Sequence, residues 1–431
     1  MSGSILIRDG AILAKEGWID PGYVWIDGPT IGAIVQGAPP EALVARADTV
    51  LEARHCAVIP GLVNGHTHLS QTLMRGLAGG RALLPWLKTV VWPIQAALTP
   101  EELHLAALLG LVENLRCGVT TVVDHHKISR RRAHTDAVLR AAETSGLRVT
   151  VARAWSDLGA DPEPAAAILE DLQRRFEQWQ GHPRITVADG PLALWRCSAE
   201  TLTRAHELAQ SYESFTHLHA SESADEVDMS LARYDKRPIQ WLADLGILDA
   251  ATDVVHGVWV NVAELDHLAQ SDARVVHCPV SNAVLGSGIA PISKMMDRGM
   301  RLRLGTDGPA SNDTQDLFET LKTAVMMARA TTQDPTVLPP ATALRLALDQ
   351  RVLAPDAPAD VAVVALDHAR AVPVHDIASA LVLSTHGSDV NDVIVAGQLL
   401  LHHGKVLNVD EPALRDACRA VAQRLSALVT V

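Results

Sequence analysis

Cysteine is scarce in this chain. Cys56, Cys117, Cys197, Cys278 and Cys418 are scattered over 431 residues, and none forms a CxxC pair. An odd, dispersed set supports neither a disulfide framework nor a zinc ribbon, and a reducing cytoplasm is the expected compartment. Long uninterrupted apolar runs are also lacking. The stretch from Leu83 to Leu98 contains Lys88, Pro85 and Pro93, so it does not read as a membrane span. The opening MSGSILIRDG has no basic segment followed by an apolar core, so no signal peptide is expected. Positive charge is in deficit: 37 Lys and Arg face 50 Asp and Glu, a formal net charge of −13. That balance repels phosphates and excludes nucleic acid as a partner. There is no low-complexity run and no convincing short repeat.

Hydrophobic residues, by contrast, make up 48% of the chain, enough for a large core. The length exceeds one ordinary compact core and suits a barrel with an added domain. Residues 1–55 alternate apolar and polar positions, as in ILIRDGAIL and YVWIDGPTIGAIV, which predicts small antiparallel strands joined by tight turns. From residue 56 the texture changes. Short apolar runs ending AVIPGLVNGHTH, GVTTVVDHH, LRVTVARAW, ITVADGPL, SFTHLHA, DVVHGVWV, ARVVHCPV and MRLRLGTDG alternate with helical patterns such as EELHLAALLGLVENLR. Eight such runs predict an α/β fold, a (β/α)8 TIM-type barrel over residues 56–354. Strand patterns return in ADVAVVAL and VNDVIVAGQLLLHHGKVL. Residues 1–55 and 355–410 are therefore expected to form one small β-sandwich domain from both chain ends, with a helix at 411–431.

His66 and His68 close the first of the eight runs. Residues at i and i+2 on a strand point the same way, so the pair is half of a metal site. Further polar residues end later strands: His219 with Glu222 three residues on, His256, His277, and Asp307 in LGTDGPASND. In a barrel these converge on the C-terminal face, where active sites lie. The set His66, His68, His219 and Asp307 leaves one position for water and implies a five-coordinate divalent ion. Such an ion lowers the pKa of its water towards neutrality. Glu222 is then the proton shuttle, and His256 orients the nucleophile or stabilises developing charge. His217 shares a face with His219 and is a rival ligand; the spacing of His219 to Glu222 favours His219. His125 and His126 end the second strand, where a structural role is as good a reading as a pocket contact. His277 is as well read as a supporting residue as a substrate contact. His402 and His403 read as surface residues.

These same residues carry a resemblance. PGLVNGHTHL, HASE, the His256 strand, HCPVSN and LGTDGPASND closely resemble the amidohydrolase superfamily. The likeness is greatest to the branch holding triazine hydrolases, 8-oxoguanine and isoxanthopterin deaminases, and methylthioadenosine/S-adenosylhomocysteine deaminases. It implies one zinc, or iron, on His66, His68, His219 and Asp307, with Glu222, His256 and Asp307 catalytic. It also implies hydrolytic deamination of an aromatic N-heterocycle, in which Asp307 takes the proton of the attacking hydroxide and Glu222 protonates the adjacent ring nitrogen.

The resemblance divides over substrate. The stretch from SNAVLGSG to GPASND looks like the nucleoside deaminases. Those enzymes usually carry an acid just before the tryptophan matching Trp86, where this chain has Leu84 and Pro85, and a histidine where it has Leu192. Gln71 resembles a glutamine that contacts the ring in nucleobase, pterin and triazine enzymes, though a local hydrogen bond at a helix start explains it equally well. VVDHHK likewise looks like the oxopurine group. Trp86 and Trp195 are candidates to stack on a flat ring, and His125 and His277 to line it. The ranking that follows puts a free aminated heterocycle first: oxopurine, pterin, pyrimidine or triazine. A nucleoside deaminase is second and a triazine-type chlorohydrolase or alkylamine hydrolase third. A catalytically silent binding protein of the same fold is opposed by the complete ligand set. A two-metal cyclic amidase would need a bridging lysine, and neither Lys88 nor Lys127 sits convincingly within a barrel strand. A homodimer or higher homo-oligomer is expected. The seam after residue 346, LRLALDQRVLAPDAPADVAVV, is shorter than the family's.

Overall fold

The computed structural model describes residues 3–127, 132–159 and 162–429. Residues 1, 2, 430 and 431, at the ends of two expected segments, lie outside the described residues. Eight parallel strands lie in one sheet in chain order: Leu62–Thr67, Val119–His126, Arg148–Trp155, Ile185–Pro191, Thr216–Ala220, Thr252–His256, Arg274–His277 and Arg301–Leu304. Each lies in one of the eight apolar runs of the sequence, but the barrel expected from residue 56 begins at Leu62, because Cys56–Pro60 pairs into the other sheet. Their burial is nearly continuous, as the buried pattern of Leu62–Thr67 and Thr216–Ala220 illustrates. That is what parallel strands covered on both faces require. Between them run helices such as Pro100–Arg116, whose start is fixed by a capping box of Thr99 and Glu102.

The sheet curls until its last strand meets its first. The Asp307 N–H donates to the His66 carbonyl at 2.9 Å. The approach depends on glycine: a Cβ at Gly305 would lie 2.8 Å from the His66 Cβ and 2.9 Å from its backbone nitrogen. A polar plug ties the same strands together. Asn64 Nδ2 donates to Asn114 Oδ1 (2.9 Å) and Thr306 Oγ1 (2.8 Å), and Thr67 Oγ1 donates to Gln315 Oε1 at 2.7 Å.

A separate nine-stranded sheet is made from both chain ends. Its order runs Lys405–Val406, Gln398–His402, Val390–Val395, Val361–Ala365, Cys56–Pro60, Ser4–Ala14, Gly17–Asp27, Thr30–Gln36, with Thr49–Glu52 also on Ser4–Ala14. It is mixed, not purely antiparallel. Ser4–Ala14 pairs antiparallel with Gly17–Asp27 but parallel with Thr49–Glu52 and Cys56–Pro60. Parallel neighbours need a crossover, and the short helix Glu41–Arg46 lies in it. Ile5, Ile7, Ile12, Val24, Val361 and Ile394 build this sheet's own core. The shortened seam is closed by Leu353 bridging Ala14 and by the Ile31 N–H donating to Ala357 O at 2.9 Å. All five cysteines are buried and free. No helix among the described residues is long and apolar enough to cross a membrane.

Gly305→Ala drives a methyl into the backbone of the first barrel strand, an overpacking that costs about 1–3 kcal/mol. The expected outcome is a fall of several degrees in the apparent melting temperature, read by circular dichroism; an unchanged melt contradicts the close approach.

Candidate metal centre and active site

Alternation along Leu62–Thr67 and into His68 sends His66 and His68 to the same side, and their rings stand 4.6 Å apart at 84°. The last barrel strand brings Asp307 against them: its Oδ1 lies 3.3 Å from His66 Nε2 and 3.1 Å from His68 Nε2. From the fifth strand, His219 places its ring 5.0 Å from His66 and 5.3 Å from His68. His256, from the sixth, stacks 5.4 Å from His219. All five side chains are buried. Ligating atoms of His66, His68 and Asp307 lie within 4.8 Å of one another, as do those of His66, His219 and His256.

The hydrogen bonds fix tautomers, and the tautomers say what the cluster can hold. His217 Nδ1 lies 3.3 Å from the Asp253 carboxylate, so that nitrogen carries the proton. His217 Nε2 is then an acceptor, and at 2.8 Å it takes the Nδ1–H of His66. His66 Nε2 is left with a lone pair and no hydrogen-bond partner, facing a carboxylate. His68 repeats the arrangement, its Nδ1–H donating to the His125 carbonyl at 2.8 Å. His219 Nδ1 faces the Leu192 carbonyl at 3.3 Å. Two imidazoles thus turn lone pairs towards one carboxylate, with the His219 ring beside them. Acceptors facing acceptors in a dry pocket need a cation between them, and this donor set fits a divalent metal. Burial makes the imidazoles neutral: His68 is pushed down to about 4, and His66 and His219 well below the usual range. Burial opposes ionisation of the Asp307 carboxyl, and the Gly308 N–H, which donates to its Oδ1 at 2.7 Å, favours the charged form. Ser281 Oγ also donates to it, at 2.6 Å.

His217, the rival ligand, therefore stands behind His66. Asp253, Ser281 and Asn282 escaped the sequence reading. Asp253 lies three residues before His256, and nothing in its spacing marks it. Asn282 Oδ1 receives His256 Nδ1–H at 2.9 Å, and the HCPVSN run was the only available signal.

Glu222 follows the fifth strand after Ser221, whose φ of 56° turns the chain sharply. His256 (75°) and Asp307 (63°) share that left-handed conformation, which costs non-glycine residues about 1–3 kcal/mol each and clusters at working sites. Glu222 Oε2 reaches His256 Nε2 at 3.5 Å. Burial raises the Glu222 carboxyl pKa, so it holds a proton more readily than an exposed glutamate. One turn on, Glu226 accepts the Glu222 N–H at 2.8 Å, and burial pushes its own pKa up to about 8.

The remaining expected residues lie as follows. His125 stacks 4.7 Å from His219. His126 is buried, with Nδ1 4.0 Å from Asp124. His277 is buried at the end of the seventh strand, and its Nδ1 has no hydrogen-bond partner among the described residues. Gln71 lies on the short helix Leu69–Met74, fully buried, with neither amide atom hydrogen-bonded among the described residues. It packs on Gly308, where a Cβ would fall 2.0 Å from Gln71 Oε1. Trp86 is buried in the main apolar core, and Trp195 is half-buried on the turn after the fourth strand. Lys127 directly follows the second strand, and Lys88 lies in the helical turn Leu87–Val91. A cavity of ≈ 750 Å³ opens beside Arg54, Cys56 and His375 in the mixed sheet, and none of its lining residues belongs to the histidine cluster.

Residues 57–400 match the model of the amidohydrolase family. A 5'-deoxyadenosine deaminase of Methanothermobacter thermautotrophicus is 34% identical over 98% of this chain and 99% of its own length. A 5-methylthioadenosine/S-adenosylhomocysteine deaminase of Halobacterium salinarum is 34% identical over 99% of both. Among solved structures, a zinc-bound adenosine deaminase from Xanthomonas campestris superposes with a TM-score of 0.91 at 29% identity, over 98% of each chain. A zinc-complexed atrazine chlorohydrolase from Arthrobacter aurescens, at 24% identity and a TM-score of 0.89 over 97% of this chain and all of its own, shares the fold.

Two outcomes are expected. His217→Ala leaves the His66 Nδ1–H unpartnered and should weaken metal retention about 10–100-fold, measured by chelator competition. Glu226 has a raised pKa, so its stabilising share is complete below the ordinary 4.5 and is lost as pH climbs through about 8. Melting temperatures of the wild type should fall across that window more steeply than those of Glu226→Gln; parallel curves would contradict the protonated carboxyl.

Proposed function

The chain belongs to the amidohydrolase family, and on that premise we propose that it is a zinc-dependent hydrolytic deaminase of adenine-type nucleosides. The observation that carries this reading is the end-to-end likeness, at 34% identity, to a 5'-deoxyadenosine deaminase in a chain that buries His66, His68, His219 and Asp307 together. The named activities of the relatives favour the nucleoside over the bare ring that the sequence ranks first. Gln71 prompted the bare-ring ranking, but a residue that meets the ring cannot report on what hangs from it. Leu84 and Pro85 stand where the resemblance places an acid that grips the ribose, and Leu192 where it places a substrate-binding histidine, so this chain must hold its substrate through other contacts.

The bound metal supplies Lewis acidity and a water that is acidic near neutral pH. His66, His68, His219 and Asp307 hold it, each imidazole already presenting the lone pair that is needed. Asp307, with Ser281 Oγ and the Gly308 N–H (2.7 Å) on its carboxylate, receives a proton from the attacking water. Glu222, whose Oε2 lies 3.5 Å from His256 Nε2, delivers a proton to the ring nitrogen beside the carbon that loses its amino group. Gln71, with its unpartnered amide, meets the polar edge of the ring. Asp307 passes its proton to the amino group, ammonia leaves, and the proton of the added hydroxyl returns to Glu222 as the ring carbonyl forms.

Ammonia release should be screened with 5'-deoxyadenosine, methylthioadenosine, S-adenosylhomocysteine and adenosine against adenine, oxopurines, pterins and triazines. A nucleoside should lead every bare ring by more than about tenfold in kcat/KM, the discrimination that roughly 1.4 kcal/mol of sugar contact supplies. A faster bare ring overturns the substrate assignment. Glu222→Gln should lower kcat by about 10²–10⁴ with the metal retained; an undiminished rate removes Glu222 from the mechanism.

A further inference from the structure

A second cluster of metal-binding side chains lies in the mixed sheet. Asp392 is on the strand Val390–Val395, His402 ends the strand Gln398–His402, and His403 follows in the turn to Lys405–Val406. One ligating atom from each of the three lies within 4.8 Å of the others. His402 Nδ1 is 2.7 Å from Asp392 Oδ1, and the His403 N–H donates to the same oxygen at 3.2 Å. The two imidazoles are 4.1 Å apart at 38°. Asp392 is 2% exposed, His402 is half-buried and His403 is exposed, so the cluster has a fixed floor and an open mouth.

The turn is held in this shape without help from an ion. His403 (φ 49°) and Gly404 (φ 70°) make the left-handed two-residue hairpin loop, with His402 opposite Lys405. The Gly404 N–H donates to Asn391 O at 2.9 Å, pinning the loop to the strand that carries Asp392. Rigid placement lowers the ordering cost that a surface site otherwise carries.

We propose that Asp392, His402 and His403 form a second divalent-metal site, independent of the catalytic centre. Two imidazoles and one carboxylate select a borderline ion such as zinc, nickel or copper(II) over magnesium or calcium, with water completing the coordination. The ion takes the place of the proton between His402 Nδ1 and Asp392, and that proton passes to solvent. Occupancy ties the hairpin to its neighbour strand. The hairpin is also where the barrel meets the C-terminal helix, since Arg116 Nη1 donates to Gly404 O at 2.9 Å and to Glu411 Oε2 at 3.1 Å. The site therefore lies next to the contact between this hairpin and a barrel helix.

The test is a metal count on the full chain after dialysis against zinc and removal of unbound ion. Wild type should hold two zinc ions per chain. The His402→Ala/His403→Ala variant should hold one, melt lower in zinc than the wild type, and keep its ammonia release. His403→Asn, which suits the left-handed turn, guards against a folding defect and should weaken the second ion without changing the melt in chelator. A wild type that stops at one ion, or variants that keep two, overturns the proposal.

Discussion

The bond from the Asp307 N–H to the His66 carbonyl closes the barrel and builds the metal centre in one stroke. Everything that gives the cluster its chemistry depends on that meeting of first and last strands. Asp307 comes from the end of the chain's eighth barrel strand, the histidine pair from the first, and only closure brings carboxylate and imidazoles within 3.3 Å. Gly305 keeps the two backbones close, and the plug of Asn64, Asn114, Thr306 and Gln315 fills the space behind them with satisfied polar groups. A buried network of this kind rigidifies when every member is paired.

Behind the cluster runs a line of tautomer control: Asp253 orients His217, and His217 orients His66. Asp253 is itself flanked by Arg274 at 3.5 Å and Arg303 at 3.8 Å, and Arg303 continues to Asp349 with Nε at 3.0 Å. Asp253 accepts the His217 Nδ1–H at 3.3 Å, and that contact fixes the tautomer. The pocket thus has a charged rear wall and neutral imidazoles in front. Their neutrality is what a cation site needs, because protonated imidazoles would compete for the same lone pairs.

Much of this was legible in the sequence. Parallel barrel strands are buried on both faces, so they appear as apolar runs, and all eight were countable. His66, His68, His219, Glu222, His256 and Asp307 stood out because each follows such a run. What stayed hidden was depth and direction. His217 and His219 share a face by the two-residue period, and period alone cannot say that one reaches the pocket while the other stands behind His66. Asp253 and Gln315 matter through contacts with strands remote in the chain, which no local pattern encodes. The mixed sheet read as antiparallel because its hairpins are local, whereas its parallel pairs arise across a crossover. The choice between nucleoside and bare ring was illegible for a different reason: the motif residues describe where the ring reacts, and a nucleoside and its base react at the same carbon.

The small sheet has a temporal consequence. Cys56–Pro60 pairs with Val361–Ala365, so one of its edges must wait while roughly 300 further residues are made. At the pace of synthesis that is about 15–60 s. Through that interval the N-terminal strands form a half-sheet whose buried face, Ile7, Val24 and Val58 among it, lacks Val361, Val363 and Ile394. An open, apolar strand edge is a template for unwanted pairing. The join between the two chain ends is therefore the step at which a nascent molecule is most exposed to its neighbours, and the barrel in between acts as the timer.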